Sequence, residues 1–235
     1  MKHLEILILI IFLPLIVYGQ TPDINFEKGN EYFRIGDYPS AITEFGKCID
    51  LDYKKVASYI NRGVCKKMLG LDYEAIEDFS MAIQLDPKEI SAFVNRYMIY
   101  LKLNKYPEAI QDCNEVINLN PLIGKTYAHR ADAKFQLGDV RGALMDYKRA
   151  LQDDMLNEEY LIKKAYCLIQ LNQLSEAIQN FDAILLLNPK NKEAYLNRGS
   201  AKLLNQDIEG ACLDWSKSGE LGHIDAYKLI REYCQ

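Results

Sequence analysis

The sequence predicts an all-α fold, an α-solenoid of six helix–turn–helix units of 34 residues with one more helix at the C-terminal end. Three observations carry that prediction. Ala41, Ala75, Ala109, Ala143, Ala177 and Ala211 stand 34 residues apart without drift. Within a period the spacing is helical: Tyr59, Arg62, Gly63 and Lys66 share one face, and Ala75, Phe79 and Ala82 share another. Between the two helical stretches stands Gly36, Gly70, Asn104, Gly138, Asn172 or Gln206, and five of these six tolerate the left-handed conformation that closes a helix. Composition agrees with a folded chain: the 235 residues are 49% hydrophobic and 26% charged, which excludes disorder and collagen-like structure. A net charge of −5, from 28 Lys+Arg against 33 Asp+Glu, argues against nucleic acid as a partner.

The first residues read as a leader. Lys2 precedes an apolar run over 6–17, interrupted by Pro14 and too short to span a bilayer. Gly19 then offers a small residue before Gln20, the order of a secretory signal peptide over 1–19, cut after Gly19. The alternative is an uncleaved anchor, against which Pro14 and the short run count. Without the leader no integral membrane span is expected.

The array follows over 20–223, with units beginning at Pro22, Val56, Ile90, Gly124, Glu158 and Lys192. Position 8 of each unit is Gly29, Gly63, Tyr97, Ala131, Ala165 or Gly199, and position 24 is Phe45, Phe79, Cys113, Tyr147, Phe181 or Trp215. Small residues at position 8 let the paired helices approach while the large one fills the space beside them. Tyr97 departs from this and is expected to push its helices apart, and Cys113 is the outlier at position 24. Pro87, Pro121 and Pro189 end second helices, since proline begins a helix but does not continue one. After the sixth unit, 224–235 reads as a closing helix with Tyr227, Ile230 and Cys234 on one face.

These small, aromatic, Ala and Pro positions in a 34-residue helix–turn–helix resemble the tetratricopeptide repeat. The family's aromatic at position 4 is met by Tyr59, Phe93, Tyr127 and Tyr195, whereas Asn25 and Leu161 depart from it. The leader and repeat style are similar to exported proteins of this family from Gram-negative bacteria, which implies the periplasm, the cell envelope or secretion.

The six copies also form an internal comparison. Arg62, Arg96, Arg130 and Arg198 stand at position 7 of copies that carry Asp78, Asp112, Asp146 and Asp214 at position 23. The fifth copy changes both, to Lys164 and Asn180, and the first has Lys28 with Glu44. A bidentate Arg–Asp contact between the two helices of a unit is expected. For the six cysteines, the register makes Cys48 with Cys65, and Cys212 with Cys234, the two pairs able to meet; the alternative is that they serve as small buried hydrophobes. No C-x-x-C occurs, and neither a metal site nor a cofactor is expected.

The resemblance implies that first-helix side chains line a concave groove, through repeat positions 2, 5, 6, 9, 12 and 13. Candidate peptide-binding residues are Asn30, Asn61, Val64, Asn95, Met98, Lys125, His129, Tyr166 and Asn197. Asparagine amides both donate and accept, so a ladder of them can pair with the backbone of an extended peptide. The family's carboxylate clamp for chaperone termini is not expected: Phe26, Ser91 and Asn95 stand where its cations belong, and Ile60, Val64 and His129 fail one copy later. Lys125 and His129, one helical turn apart, suit an isolated acidic side chain. Phosphate loops, G-x-S-x-G and H-E-x-x-H are absent from the sequence, and catalysis is not expected. The resulting expectation is a non-catalytic scaffold or adaptor that binds a protein or peptide. The alternative is a structural or self-associating envelope protein, a homo-oligomer whose array ends make the contacts.

Overall fold

The computed structural model describes residues 22–234, so the leader expected over 1–19 lies outside the described residues. Six first helices, α1 (Pro22–Arg34), α3 (Lys55–Met68), α5 (Ile90–Lys102), α7 (Gly124–Gln136), α9 (Glu158–Gln170) and α11 (Lys192–Leu204), alternate with second helices. The second helices are α2 (Tyr38–Asp50), α4 (Asp72–Leu85), α6 (Tyr106–Leu119), α8 (Val140–Asp153), α10 (Leu174–Leu187) and α12 (Ile208–Glu220). α13 (Ile224–Tyr233) follows, and the described residues contain no strand. The chain forms two compact units that divide within α4, after Asp78. In the second unit, helices consecutive in sequence pack on one another from α5 through α13. Among the described residues no helix is long and apolar enough to cross a membrane.

Each first helix stops the same way. Gly36, Gly70, Asn104, Gly138, Asn172 and Gln206 all have positive φ, so the sixth turn residue takes the left-handed conformation despite being a glutamine. The next residue's amide then reaches back five residues, as Asp37 N–H does to the Tyr32 carbonyl at 2.9 Å and Asp207 N–H to Lys202 at 2.9 Å. This satisfies a carbonyl that the helix end leaves open. Asp37, Asp139 and Asp207 cap the helices that follow, each side chain accepting from a backbone amide three residues on.

Packing inside a repeat follows position 8 against position 24. A Cβ added to Gly29 would lie 2.7 Å from the Phe45 ring, and one added to Gly199 would lie 2.7 Å from the Trp215 ring. At those two sites any larger residue displaces the aromatic. Repeat three reverses the arrangement rather than simply crowding its pair: Tyr97 and Cys113 are both buried in one cluster, so the large side chain has moved to the other helix. Volume is conserved, which a core tolerates far better than overpacking.

The Arg–Asp contacts form in all four repeats that carry them. Arg62, Arg96, Arg130 and Arg198 donate through Nε and Nη2 to both oxygens of Asp78, Asp112, Asp146 and Asp214 at 2.5–2.9 Å. Lys66, Lys134 and Lys202, one turn further along, add a second cation to three of these carboxylates. In the second unit the remaining arginine nitrogen bonds the second helix of the preceding repeat: Arg96 reaches Ser80, Arg130 reaches Asn114 and Arg198 reaches Asp182. One guanidinium thus joins three helices. In the first repeat Glu44 takes Lys47, at 2.6 Å, rather than Lys28.

Of the two cysteine pairs the register brings together, one is bonded. Cys212 and Cys234 form a disulfide that ties the end of α13 to α12, while Cys48 and Cys65 are free and buried, as are Cys113 and Cys167. Burial pushes the Cys113 thiol up to about 12 and those of Cys65 and Cys167 up to about 11, which keeps them as small apolar core residues. Trp215, Ala211 and Ala226 form the core beneath α13, with Leu229 and Ile230 packed against it.

Candidate functional site

In the first unit the candidate residues Asn30, Asn61 and Val64 lie on α1 and α3. Asn61 Nδ2 points at Asn30 Oδ1 across 3.5 Å, a long contact that leaves both amides available to another group. Val64 is half-buried beside them. At the helix starts Phe26 packs edge-on against Phe45 and Tyr53, and the Lys54 ammonium sits 4.6 Å above the Phe26 ring.

The second unit carries the richer face. Asn95 Nδ2 donates back to the Ser91 carbonyl of its own helix at 2.9 Å. Cross-helix contacts fall instead between position 9 or 8 of one repeat and position 6 of the next. Tyr97 O–H meets His129 Nδ1 at 3.1 Å, Lys163 donates to Asp132 at 2.8 Å, and Asn197 Nδ2 donates to Tyr166 O–H at 3.2 Å. Met98, Lys125 and Tyr166 are exposed beside this line.

At the α7–α9 junction these contacts converge on Asp132. Its Oδ1 accepts from Tyr147 O–H at 2.5 Å and from Lys163 at 2.8 Å, and Oδ2 accepts from Lys163 at 3.0 Å. Lys163 also pairs with Glu159 at 2.8 Å. Burial alone would depress the Lys163 ammonium, but hydrogen bonds to Asp132 and Glu159 outweigh it and raise its pKa. The Lys163 hydrogen bond holds Glu159 below the usual carboxylate range. Burial first, and then its bond to Asp132, pushes the Tyr147 phenol up, so it remains a donor. Burial also lowers the His129 pKa, with Lys125 and Lys163 adding to the effect and Asp132 and Glu159 opposing it. His129 is therefore held as a neutral imidazole at neutral pH.

Beside Asp132 opens a cavity of about 230 Å³, lined by Asp132, Phe135, Gln136, Tyr147, Lys163 and Tyr166. A larger recess of about 620 Å³ lies between the α9–α10 and α11–α12 turns, but its wall of Asn172, Glu176, Asn205 and Gln206 is mostly polar. Of the smaller cavity's lining, Tyr166 alone belongs to the candidate peptide-binding residues. Tyr147 was legible only as core, although it is the one tyrosine among the six residues at position 24. Its hydroxyl is what carries a core residue out to the first-helix face. Among the described residues no group of three His, Cys, Asp or Glu side chains could hold a metal ion.

Two family models, both described as tetratricopeptide repeat, match the chain at residues 134–203 and at 22–55 and 92–121, together more than half of its length. No curated protein matches it in sequence. Among solved structures it is similar to YrrB, described as a TPR protein with an unusual peptide-binding site, with 20% identity, a TM-score of 0.73, and coverage of 80% of this chain and 97% of that one. It is also similar to MamA, at 17% identity and a TM-score of 0.68 over 73% and 94% of the two chains. A tetratricopeptide repeat protein from Parabacteroides merdae ATCC 43184 gives 19% identity and a TM-score of 0.67 over 92% and 100%. At these identities the likeness is one of fold. The repeat register, the helix pairs and the family models agree: this chain belongs to the tetratricopeptide repeat family, an all-α solenoid fold that serves as a scaffold for protein interactions.

Proposed function

We propose that the chain is an exported, non-catalytic adaptor that binds an extended protein segment along the first-helix face of its second unit. The observation that carries this reading is the line of paired side chains on that face: Tyr97–His129, Asp132–Lys163 and Tyr166–Asn197, with Met98 and Lys125 exposed beside them. Polar groups held in fixed positions among exposed aromatic and aliphatic ones suit a peptide with alternating backbone and side-chain contacts. Export is supported by the pattern of the first 19 residues and by the Cys212–Cys234 disulfide, a bond that persists in oxidising compartments. YrrB, whose fold this chain shares, is described as having an unusual peptide-binding site.

The test is cross-linking in the native cell envelope, with the chain compared to a folded variant carrying Met98→Ala, His129→Ala and Asn197→Ala. A partner captured by the native chain and lost with the variant is the expected result. Equal capture by both moves the binding surface elsewhere. The second reading, self-association, has its own observation: Ile224 (84% exposed) and Tyr227 (53%) present apolar surface on α13. A dimer mass in light scattering that disappears in Ile224→Lys would favour it. Mature protein beginning at Gln20 is expected by mass spectrometry.

A further inference from the structure

The cavity at the α7–α9 junction is built for one side chain. We infer that it is a specificity pocket for a neutral aromatic residue bearing a hydrogen-bond donor, tyrosine foremost, presented by the bound protein segment. The inference rests on the adaptor reading and deepens it.

Size, walls and polar floor each narrow the occupant. At about 230 Å³ the cavity is below the roughly 300–1,000 Å³ of small-molecule sites, so it suits a single residue rather than a metabolite. Phe135, Tyr147 and Tyr166 present ring surface, which favours an aromatic guest over a short polar one. The floor is Asp132. An ionised carboxylate has about four acceptor positions. Tyr147 and Lys163 occupy both on Oδ1, and Lys163 alone contacts Oδ2, which leaves Oδ2 able to accept one more donor.

Charge then selects the kind of donor. The Lys163 ammonium already sits on both oxygens of Asp132 and pairs with Glu159, on which the Lys125 charge also acts through space. A guanidinium or ammonium entering the cavity would meet Lys163 at close range, and a carboxylate would meet Asp132. A phenol or indole donor gains the hydrogen bond without either repulsion. Tyr147 already shows that chemistry from below, its own phenol on the same carboxylate. The guest would approach from the opposite side, so that Asp132 is shared between one tyrosine of the core and one of the partner.

The experiment uses the full chain and blocked pentapeptides of the form Gly-Gly-Xaa-Gly-Gly, with Xaa tyrosine, phenylalanine or arginine, followed by chemical shifts of the 132–166 amides. The tyrosine peptide is expected to bind about tenfold more tightly than the phenylalanine peptide, the increment of a hydrogen bond to a charged acceptor, and more tightly than arginine. Gln136→Trp, a change at an exposed position of the rim, is expected to abolish binding while leaving the rest of the spectrum in place. Lys163→Met removes the competing cation and should invert the order, arginine first. Equal binding of tyrosine and phenylalanine, arginine leading in the native chain, or no binding by any peptide overturns the pocket. These outcomes are separable from failure of the adaptor reading, because a partner still captured in the envelope would leave that reading standing without the pocket. Peptide binding with no captured partner would do the reverse.

Discussion

Repeats four and five stand side by side in one compact unit and solve the same packing problem differently. In repeat four Arg130 bonds Asp146 through two nitrogens and Asn114 through a third, and Lys134 adds a second cation to the carboxylate. In repeat five all four members are changed. Lys164 replaces the arginine, Asn180 the aspartate, Leu168 the second lysine, and Lys148 stands where Asn114 would be. Asn180 turns its Nδ2 to the Leu161 carbonyl at 2.6 Å and leaves Oδ1 buried without a partner. Lys148 turns away to Glu176, and burial lowers the Lys164 pKa. The repeat is nonetheless closed by Leu161, Ala165, Phe181, Ile184 and Leu185 in one apolar cluster. Apolar packing alone therefore suffices to form a repeat, and the ion clamp is an added device. It is absent as a set because a buried carboxylate stripped of its cations is far more costly than no carboxylate at all.

The largest expected effect comes from breaking the set in repeat four. Arg130→Ala leaves the buried Asp146 with Lys134 alone and should cost on the order of 3 kcal/mol in urea unfolding. A double-mutant cycle with Asp146→Asn should be strongly non-additive, and simple additivity would show that the clamp carries no coupling. Next, Asn180→Asp places a carboxylate in repeat five without its arginine. A loss of about 2 kcal/mol is expected, mostly recovered by adding Lys164→Arg and more fully with Lys148→Asn as well. Failure of that rescue would mean that repeat five differs in backbone geometry and not only in side chains.

A smaller effect lies in pH. His129 has a folded pKa below its unfolded value, so its contribution to stability is present above the unfolded pKa and is lost as pH falls through the folded one. As pH falls from about 7 to about 5, the native chain should lose more thermal stability than His129→Asn does. A gain is expected from completing the clamp in repeat two, where Gly46 occupies the place that Ser80, Asn114 and Asp182 take elsewhere. A Cβ there would lie 3.7 Å from the Arg62 guanidinium. Gly46→Ser is expected to stabilise by about 0.5–1 kcal/mol, with Gly46→Ala as the control that isolates helix propensity from the new hydrogen bond.

The fold could be read from the sequence because each structural role recurs at a fixed position, so six weak signals reinforce one another. The Arg–Asp contact was legible for the same reason, since both members change together in the fifth copy. The third arm of the arginine was not, because it crosses to the preceding repeat and its partner varies among serine, asparagine and aspartate. Nor was Gln206 recognisable as a left-handed turn residue, since glutamine has no intrinsic preference for positive φ and the surrounding helices impose it. Tyr97 and Cys113 each depart from the pattern of their own column, and their compensation shows only where the two side chains meet in one cluster. The cavity beside Asp132 escaped for a different reason. Asp132 and Lys163 are of opposite charge and leave no net charge signal, and Tyr147 and Phe135 enter from the core and the far end of the helix. A site assembled from five columns of the repeat leaves no single column that announces it.

The Cys212–Cys234 bond has a mechanical consequence. A covalent link between α12 and the end of α13 shunts tension applied at the C-terminus directly to residue 212, so the segment 213–233 between them carries no load. A stack of helices pulled from its end ordinarily peels one helix at a time, each neighbour exposed by the loss of the last. Here the first helix in line cannot peel. In single-molecule stretching the oxidised chain should release its extension starting within the sixth repeat, at a contour length shorter by the looped segment, and a reductant should restore that length.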